Sequence, residues 1–213
     1  MKKLKVVISG GGTGGHIFPA LAIAKAIEKQ VSDVEFLFVG AEDRMEMEKV
    51  PNEGYTIIGL WISGLQRGLD KRNLLFPFKV VHSILKAKKI IKDFKPDLAI
   101  GTGGYASAPL LYVAAKRGIP SLIQEQNSYP GITNKILAKY VQKICVAYDK
   151  MERFFPSEKL MFTGNPIRED ILDFENKRQE GQKLFEIDVS KLTVLVVGGS
   201  LGALTINNAI ADN

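Results

Sequence analysis

Three glycine-rich loops constrain this 213-residue chain more than any other feature of its sequence. Glycine loop 1 (residues 10–16) reads GGGTGGH, glycine loop 2 (101–105) reads GTGGY, and glycine loop 3 (198–203) reads GGSLGA. Each lies between an apolar run and a helical pattern. A loop with almost no Cβ atoms lets backbone N–H groups close on a phosphate, and the helix that follows adds the positive end of its dipole. Three such loops predict a protein that handles two diphosphates, or one diphosphate held between two domains.

Apolar runs of strand length alternate with helical patterns along most of the chain. Strands are predicted near residues 4–9, 34–39, 55–59, 97–101, 120–124, 143–147 and 160–163. Helices are predicted near residues 18–30, 42–50, 74–94, 105–117, 131–140 and 148–154. The runs are too apolar for half-exposed strands, so the alternation predicts an α/β fold: a doubly wound parallel sheet with helices on both faces.

A domain boundary is predicted at the segment Thr163-Gly164-Asn165-Pro166, because Pro166 disfavours helix for Asn165 and Gly164 permits a sharp turn. This gives an N-terminal domain of residues 1–166 and a second domain that starts at 167. Residues 167–213 contain a charged stretch, a strand beginning at Leu192 and one helix. One strand and one helix cannot bury their own apolar faces, so this part is expected to be the truncated opening of a second Rossmann-like domain.

Composition narrows the classes of partner. The net charge of +6 favours anionic partners, but no basic stretch is interleaved with stacking aromatic residues, so nucleic acid is not expected. A single cysteine, Cys145, excludes a disulfide framework and fits a reducing cytoplasm, and its apolar setting indicates a buried strand residue. No stretch approaches the ~20 apolar residues of a membrane span, and the N-terminal apolar run is too short for a signal peptide.

Glycine loop 1 carries the first candidate for chemistry, His16. The loop formally satisfies the dinucleotide fingerprint GxGxxG, for which Glu42 is only roughly in place as the ribose-binding acid. His16 and Pro19 do not belong to that fingerprint. A neutral imidazole at a helix N-terminus is a plausible general base beside a phosphate, and the alternative is a histidine that only caps the helix. The other histidine, His82, is expected to be structural.

Polar residues 124–127 follow the apolar run Ile119–Ile123 and point to the same end of the sheet. Glu125 is a second candidate base, and Asn127 is a candidate hydrogen-bonding group for a sugar or a phosphate. The alternative is that one or two of these residues cap the helix predicted near Gly131.

A third region combines apolar and basic residues. Leu75, Phe76 and Phe78 lead into a lysine-rich helix whose core-facing stripe is predicted to contain Val81, Ile84, Leu85, Ile91 and Phe94. The lysines are then either the solvated face of a core helix or part of a surface that docks on anionic lipid, with Leu75, Phe76 and Phe78 dipping into it.

Five motifs stand in one order along the chain: GGTGGHxxP from Gly11, GxGGYxSxP from Gly101, EQN with GxTNK from Glu125, TGNPxR from Thr163 and GGSxGA from Gly198. Together they resemble the MurG family, the N-acetylglucosaminyltransferases that convert lipid I to lipid II in peptidoglycan synthesis. The resemblance runs from Leu4 to Ala209. It implies a GT-B fold of two Rossmann-like domains, the first holding the lipid-linked acceptor and the second most of the UDP-GlcNAc donor.

The resemblance also implies roles for particular residues. Donor contacts would come from Thr13, Gly14, Gly15, Asn127, Arg168 and Ser200. Acceptor contacts would come from Gly12, His16, Gly103, Gly104 and Tyr105. His16 or Glu125 would take the proton from the C4 hydroxyl of MurNAc while that oxygen attacks C1 of GlcNAc and inverts it. No metal or other cofactor is expected, since no Asp-x-Asp pair is present.

The implied partners are UDP-GlcNAc, undecaprenyl-pyrophosphoryl-MurNAc-pentapeptide and an anionic lipid surface, and the implied location is peripheral, on the cytoplasmic face of the cell membrane. Two departures from the family pattern matter. Gln124 stands where many relatives have histidine, and the segment that reads the uracil and the donor sugar is absent. The chain is therefore expected to bind acceptor better than donor and to be inactive alone.

Three alternatives remain open from the sequence. The first is another GT-B enzyme, such as a glycolipid synthase or a sugar-nucleotide epimerase. The second is an NAD-dependent oxidoreductase that uses glycine loop 1. The third is a non-catalytic module that binds a lipid pyrophosphate.

Overall fold

The protein is described by a computed structural model that covers residues 2–64, 74–168, 174–198 and 203–212. Seven strands form one sheet in which every pairing is parallel. They span Leu4–Gly10 (β1), Val34–Ala41 (β2), Thr56–Leu60 (β3), Leu98–Gly103 (β4), Ser121–Glu125 (β5), Lys143–Val146 (β6) and Leu160–Phe162 (β7).

Helices connect or follow these strands. They span Gly14–Gln30 (α1), Glu46–Asn52 (α2), Phe76–Phe94 (α3), Ser107–Lys116 (α4), Ile132–Leu137 (α5), Phe174–Leu184 (α6) and Leu204–Ala211 (α7). Two short 3₁₀ turns, Met151–Arg153 and Ser157–Lys159, lie between β6 and β7.

The strand order β3-β2-β1-β4-β5-β6-β7 is doubly wound. Residues of β1 explain why both faces must be covered: Val6, Val7 and Ile8 are fully buried although successive side chains point to opposite faces. Two hydrophobic clusters pack on the two faces of the sheet, one including Val7 and the other Val6 and Ile8. The predicted α/β fold class is confirmed. The order reverses between β1 and β4, and ligands bind at such switch points, outside the carboxyl ends of the strands.

Several predicted elements differ from the structure. Only the 3₁₀ turn Met151–Arg153 forms where a helix was predicted for 148–154. Helix α1 begins at Gly14 rather than near residue 18, so Pro19 lies inside the helix and not in its first turn. The strand predicted to begin at Leu192 does not form in residues 192–198, since among the described residues no neighbouring strand is there to pair with it.

The core-facing stripe predicted for α3 is partly wrong. Val81 and Leu85 are each 58% exposed, whereas Ser83 and Ala87 are fully buried. Ile90 and Ile91 are buried on the same helix, and Ser83 donates its hydroxyl to the carbonyl of Trp61 at 3.1 Å, so the buried face coincides only in part with the predicted stripe.

The chain divides into two compact units, Met1–Asp170 and Ile171–Asn213. The first contains the whole sheet and α1 to α5. In the described part of the second, the regular elements are α6 and α7. The domain assignment of 1–166 and 167–213 stays a prediction.

Candidate active site

Glycine loops 1 and 2 touch each other at the switch point between β1 and β4. A Cβ on Gly104 would overlap the backbone of Gly11, and the φ of Gly104 is +84°, so only glycine fits on both counts. The ring of Tyr105 stands 3.4 Å from the place where a Cβ of Gly12 would lie. The two loops therefore form one continuous surface at the carboxyl ends of the strands.

His16, in the first turn of α1, is fixed by β4. Its Nδ1 lies 2.9 Å from the carbonyl oxygen of Thr102 and 3.2 Å from Oε1 of Gln126. Both partners are acceptors, so Nδ1 carries the proton and the neutral ring has its lone pair on Nε2. Thr102 also donates its hydroxyl to the carbonyl of His16 at 2.7 Å, which ties the helix end to the strand.

Gln126 and Gln124 support that arrangement. Nε2 of Gln126 donates to the carbonyl of Thr102 at 2.9 Å and also to the side chain of Gln124, which fixes the Gln126 oxygen toward His16. Gln124 is 2% exposed and donates to Asn165 at 3.4 Å. Gln124 is thus an amide that orients a second amide, at the position where the resemblance implied histidine in many relatives.

Glu125 is 1% exposed, and its carboxylate accepts four hydrogen bonds. Oε1 accepts from the backbone and side-chain amides of Asn127, both at 3.0 Å. Oε2 accepts from the backbone amide of Gly131 at 3.1 Å and from Nδ2 of Asn134 at 2.9 Å. The carboxylate thus holds together the loop after β5 and the first turn of α5, and its role as a base stays a prediction.

Glu46, in the first turn of α2, was missed by sequence reasoning. It is fully buried, and both of its carboxylate oxygens accept from the amide of Gly12, at 3.1 and 3.0 Å. Oε1 also accepts from the amide of Ala41 at 2.9 Å. Glu42, which the fingerprint suggested, instead pairs with Lys86 at 2.9 Å. A search for any acid after β2, rather than one at fixed spacing, could have found Glu46.

The described residues among the predicted donor contacts lie at different places in the structure. Thr13 is exposed at the N-terminus of α1, ahead of Gly14 and Gly15. The guanidinium of Arg168 lies 4.9 Å from the ring centre of Phe18, also on α1. Asn127 is held by Glu125 in the next loop. Ser200 lies outside the described residues.

A cavity of about 630 Å³ opens beside the two glycine loops. His16, Gly103, Gly104, Tyr105 and Glu125 line it together with mostly apolar residues of α3, α4 and α5. Asn134, 2% exposed, also lines it, and its Oδ1 is buried without a hydrogen-bond partner among the described residues. A largely apolar cavity with a few convergent polar groups is the usual form of a small-molecule site.

At the N-terminus of α3, Leu75 is 51% and Phe78 is 67% exposed, and Phe76 faces the cavity. We call the exposed apolar residues here the α3 apolar surface: Leu74, Leu75, Phe78, Val81 and Leu85. No described helix is both long enough and apolar enough to cross a bilayer. Within the described ranges, no group of three or more histidine, cysteine or acidic side chains is arranged to hold a metal.

Comparison with known proteins identifies the family of this chain. Residues 6–146 match the glycosyltransferase family 28 N-terminal domain. The chain is 56% identical over 210 residues to a protein of Christiangramia forsetii named UDP-N-acetylglucosamine–N-acetylmuramyl-(pentapeptide) pyrophosphoryl-undecaprenol N-acetylglucosamine transferase. A protein of the same name from Cytophaga hutchinsonii is 57% identical over 212 residues. These matches cover 99% and 100% of this chain but 57% and 58% of the relatives, so the chain spans little more than half of their length.

Solved structures give the same result. The crystal structure of Acinetobacter baumannii MurG superposes with a TM-score of 0.72 at 30% identity, covering 96% of this chain and 55% of that one. A UDP-GlcNAc 2-epimerase from Neisseria meningitidis shares the fold alone, with a TM-score of 0.57 at 14% identity over 89% of this chain and 55% of its own. From its matched residues and its fold, the chain belongs to glycosyltransferase family 28, of which it carries the N-terminal domain.

Proposed function

We propose that this chain is the acceptor-binding part of an inverting glycosyltransferase. The enzyme would move GlcNAc from UDP-GlcNAc to the C4 hydroxyl of MurNAc in undecaprenyl-pyrophosphoryl-MurNAc-pentapeptide, the conversion of lipid I to lipid II. Support comes from the relatives' names and from family membership, which leaves no basis for the oxidoreductase alternative. The observation that carries the proposal is the placement of His16 on the cavity with its tautomer fixed.

His16 is the proposed base. The carbonyl of Thr102 holds the Nδ1 proton, so Nε2 is free to accept one. Nε2 has no hydrogen-bond partner among the described residues, and the ring lines the cavity. An acceptor hydroxyl within hydrogen-bond reach of Nε2 would lose its proton to this nitrogen as the oxygen attacks C1 of the donor. Glu125 is a weaker candidate, because its lone pairs are already taken by four donors.

The other proposed contact residues lie mainly on or near glycine loops 1 and 2. Gly103, Gly104 and Tyr105 would contact the acceptor beside His16, with Gly12 beneath the ring of Tyr105. Thr13, Gly14 and Gly15 would face the donor at the N-terminus of α1, where backbone amides have no acceptor within the helix. Arg168, held against Phe18, would balance the charge on the leaving diphosphate. Asn127 and Ser200 stay predicted donor contacts.

The α3 apolar surface would dock on the cytoplasmic face of the membrane, where the lipid-linked acceptor resides. Leu75 and Phe78 are exposed at one end of α3, and Lys88, Lys89 and Lys92 are exposed farther along it. Apolar side chains next to lysines suit a surface rich in anionic lipid, since the first enter the acyl boundary and the second neutralise the headgroups. Phe76 lies between this surface and the cavity.

Calorimetric titration of the 213-residue chain tests the proposal. A water-soluble, short-chain lipid I analogue is the main ligand, with UDP-GlcNAc and NADH titrated in parallel. We expect saturable binding of the analogue, weaker or absent binding of UDP-GlcNAc, and no binding of NADH. Binding of NADH alone would overturn the proposal, and so would silence toward the analogue by a chain whose circular dichroism shows it to be folded.

A matched pair of variants locates the binding site. Gly14→Val adds a β-branched side chain at the start of α1, where a Cβ already comes within 3.1 Å of the Phe18 ring. Gly181→Val adds the same side chain to α6, where a Cβ meets nothing within 4 Å. Loss of analogue binding in the first variant and its retention in the second would place the site at glycine loop 1.

A further inference from the structure

Glu46 is a buried carboxylate that the mechanism above does not use. It lies directly under glycine loop 1, in a space that two glycines keep open. A Cβ on Gly11 would overlap its carboxylate, and a Cβ on Gly40 would come within 2.5 Å of its Cγ. The sequence thus keeps two positions free of side chains to admit this acid beneath the loop.

Backbone amides hold the carboxylate, and among the described residues no cationic side chain pairs with it. Gly12 donates to both oxygens, at 3.1 and 3.0 Å, and Ala41 donates to Oε1 at 2.9 Å. The amide of Gly12 is therefore already occupied. A glycine loop binds phosphate through free amides in positive surroundings, whereas at this turn the amide of Gly12 is taken and the group beside it is a buried carboxylate.

We propose that Glu46 is a specificity-determining residue that closes the Gly10–Gly12 turn to anions. The diphosphate of the acceptor is then confined to glycine loop 2, since the amides of Gly14 and Gly15 face the donor, and the Gly11–Gly12 segment faces an uncharged part of the acceptor. The inference rests on the proposed function only in assigning that diphosphate to the acceptor.

Two features distinguish this role from simple loop support. A carboxylate that only supported the loop could be replaced by an amide of the same shape, since Oε1 alone accepts from both Gly12 and Ala41. The negative charge has an additional effect. It repels an anion bound at glycine loop 1, because the two charges would lie a few ångströms apart with little water between them to screen them. Removing the charge while keeping the shape should therefore raise the affinity for an anion, a direction that a loss of support cannot produce.

The test compares Glu46→Gln with the matched control Glu42→Gln. Both remove one acidic charge after β2, but Glu42 pairs with Lys86 and does not touch the loop. Each variant and the parent chain are titrated with inorganic pyrophosphate, and the melting temperature of each is recorded. We expect the dissociation constant for pyrophosphate to fall about tenfold in Glu46→Gln. We expect it to stay within about twofold of the parent value in Glu42→Gln, where the lost charge is solvated.

Unchanged or weaker pyrophosphate binding by a folded Glu46→Gln chain overturns the proposal. If that variant does not fold, the double variant Gly11→Ala/Glu46→Ala replaces it, because the methyl added at Gly11 enters the space left by the carboxylate. Failure of both variants to fold also overturns it, since the carboxylate would then serve folding and not selection. The test compares the dissociation constants of two chains for pyrophosphate. Its outcome therefore does not depend on whether the parent chain binds the lipid I analogue.

Discussion

The Nδ1 atom of His16 lies 2.9 Å from the carbonyl oxygen of Thr102, a backbone acceptor at the end of the neighbouring strand. Because a carbonyl oxygen can only accept, this contact sets the tautomer without any carboxylate, in contrast to sites where an acid holds the imidazole. The ring is oriented by the β1–β4 switch point itself. Its geometry therefore depends on the contact between glycine loops 1 and 2.

Replacement of His16 tests the base directly. In a chimera that joins residues 1–164 of this chain to the C-terminal half of the Christiangramia forsetii relative, His16→Ala should lower kcat by about 10²–10⁴-fold with little change in melting temperature. His82→Ala is the matched control, because His82 lies away from the cavity on α3, edge-on to Trp61. Near-parental turnover in the His16 variant would eliminate it as the base.

Glu125 should behave as a structural residue. Glu125→Ala leaves the amides of Gly131 and Asn134 without their acceptor in a buried site, so we expect a loss of about 2–4 kcal/mol in the free energy of unfolding. Urea denaturation of the 213-residue chain measures it. A Glu125→Gln chimera that keeps full stability but loses turnover would instead support Glu125 as the base.

Because the two glycine loops are in contact, alanine substitutions at two glycines should lower the stability of the chain by unequal amounts. Gly104 and Gly118 both have positive φ, of +84° and +73°, but a Cβ on Gly118 meets nothing within 4 Å. Gly118→Ala should therefore cost only the conformational strain, about 1–2 kcal/mol. Gly104→Ala adds a collision with Gly11 and should cost about 2–5 kcal/mol. Equal losses of stability would show that the loops separate readily.

Membrane docking can be tested by sedimentation with vesicles of phosphatidylglycerol and phosphatidylcholine. Leu75→Ser/Phe78→Ser should weaken binding about tenfold or more, since these exposed side chains would no longer enter the acyl region. Leu184→Ser/Phe185→Ser removes similarly exposed apolar residues from the second unit and should have no effect. Binding by the parent chain should also fall as salt is added. Equal weakening in both double variants would argue against a specific surface.

Cys145 is predicted to react slowly. Burial raises the pKa of its thiol, outweighing a contact with Thr163 that lowers it, so less thiolate is present at a given pH than for a free cysteine. Reaction with a chromogenic disulfide should be slow in the folded chain and should reach the rate of a model thiol in denaturant. Because the pKa of the thiol is raised in the folded chain, the difference in reaction rate between folded and denatured chain should narrow only as the pH rises above 9.0, the ordinary pKa of a cysteine.

The local sequence pattern was sufficient to predict the strands of the sheet, but it was not sufficient to predict the structure of two other segments. Each of the seven strands predicted for the first unit forms, because each is an apolar run bounded by turn residues. The central strands are buried on both faces, whereas the edge strand β7 leaves Met161 and Phe162 exposed. The run beginning at Leu192 has similar residues, but within the described ranges no strand lies beside it, and the same pattern yields no strand in residues 192–198. On α3, Val81 and Leu85 fit a buried stripe by spacing, but both are exposed, and the buried residues of the helix are Ser83, Ala87, Ile90 and Ile91.

The sequence by itself determined the α/β class, the positions of the strands and the candidate His16, since these depend on local composition and periodicity. Tertiary structure alone decided what each candidate does. Thr102, 86 residues away, fixes the tautomer of His16, and Glu46, 34 residues away, occupies the amide of Gly12. Glu125 accepts four hydrogen bonds from Asn127, Gly131 and Asn134, in the loop after β5 and in α5. A hydrogen bond depends on how close two groups lie in space. Until the order of the strands is known, spacing along the chain does not show which distant residues come that close.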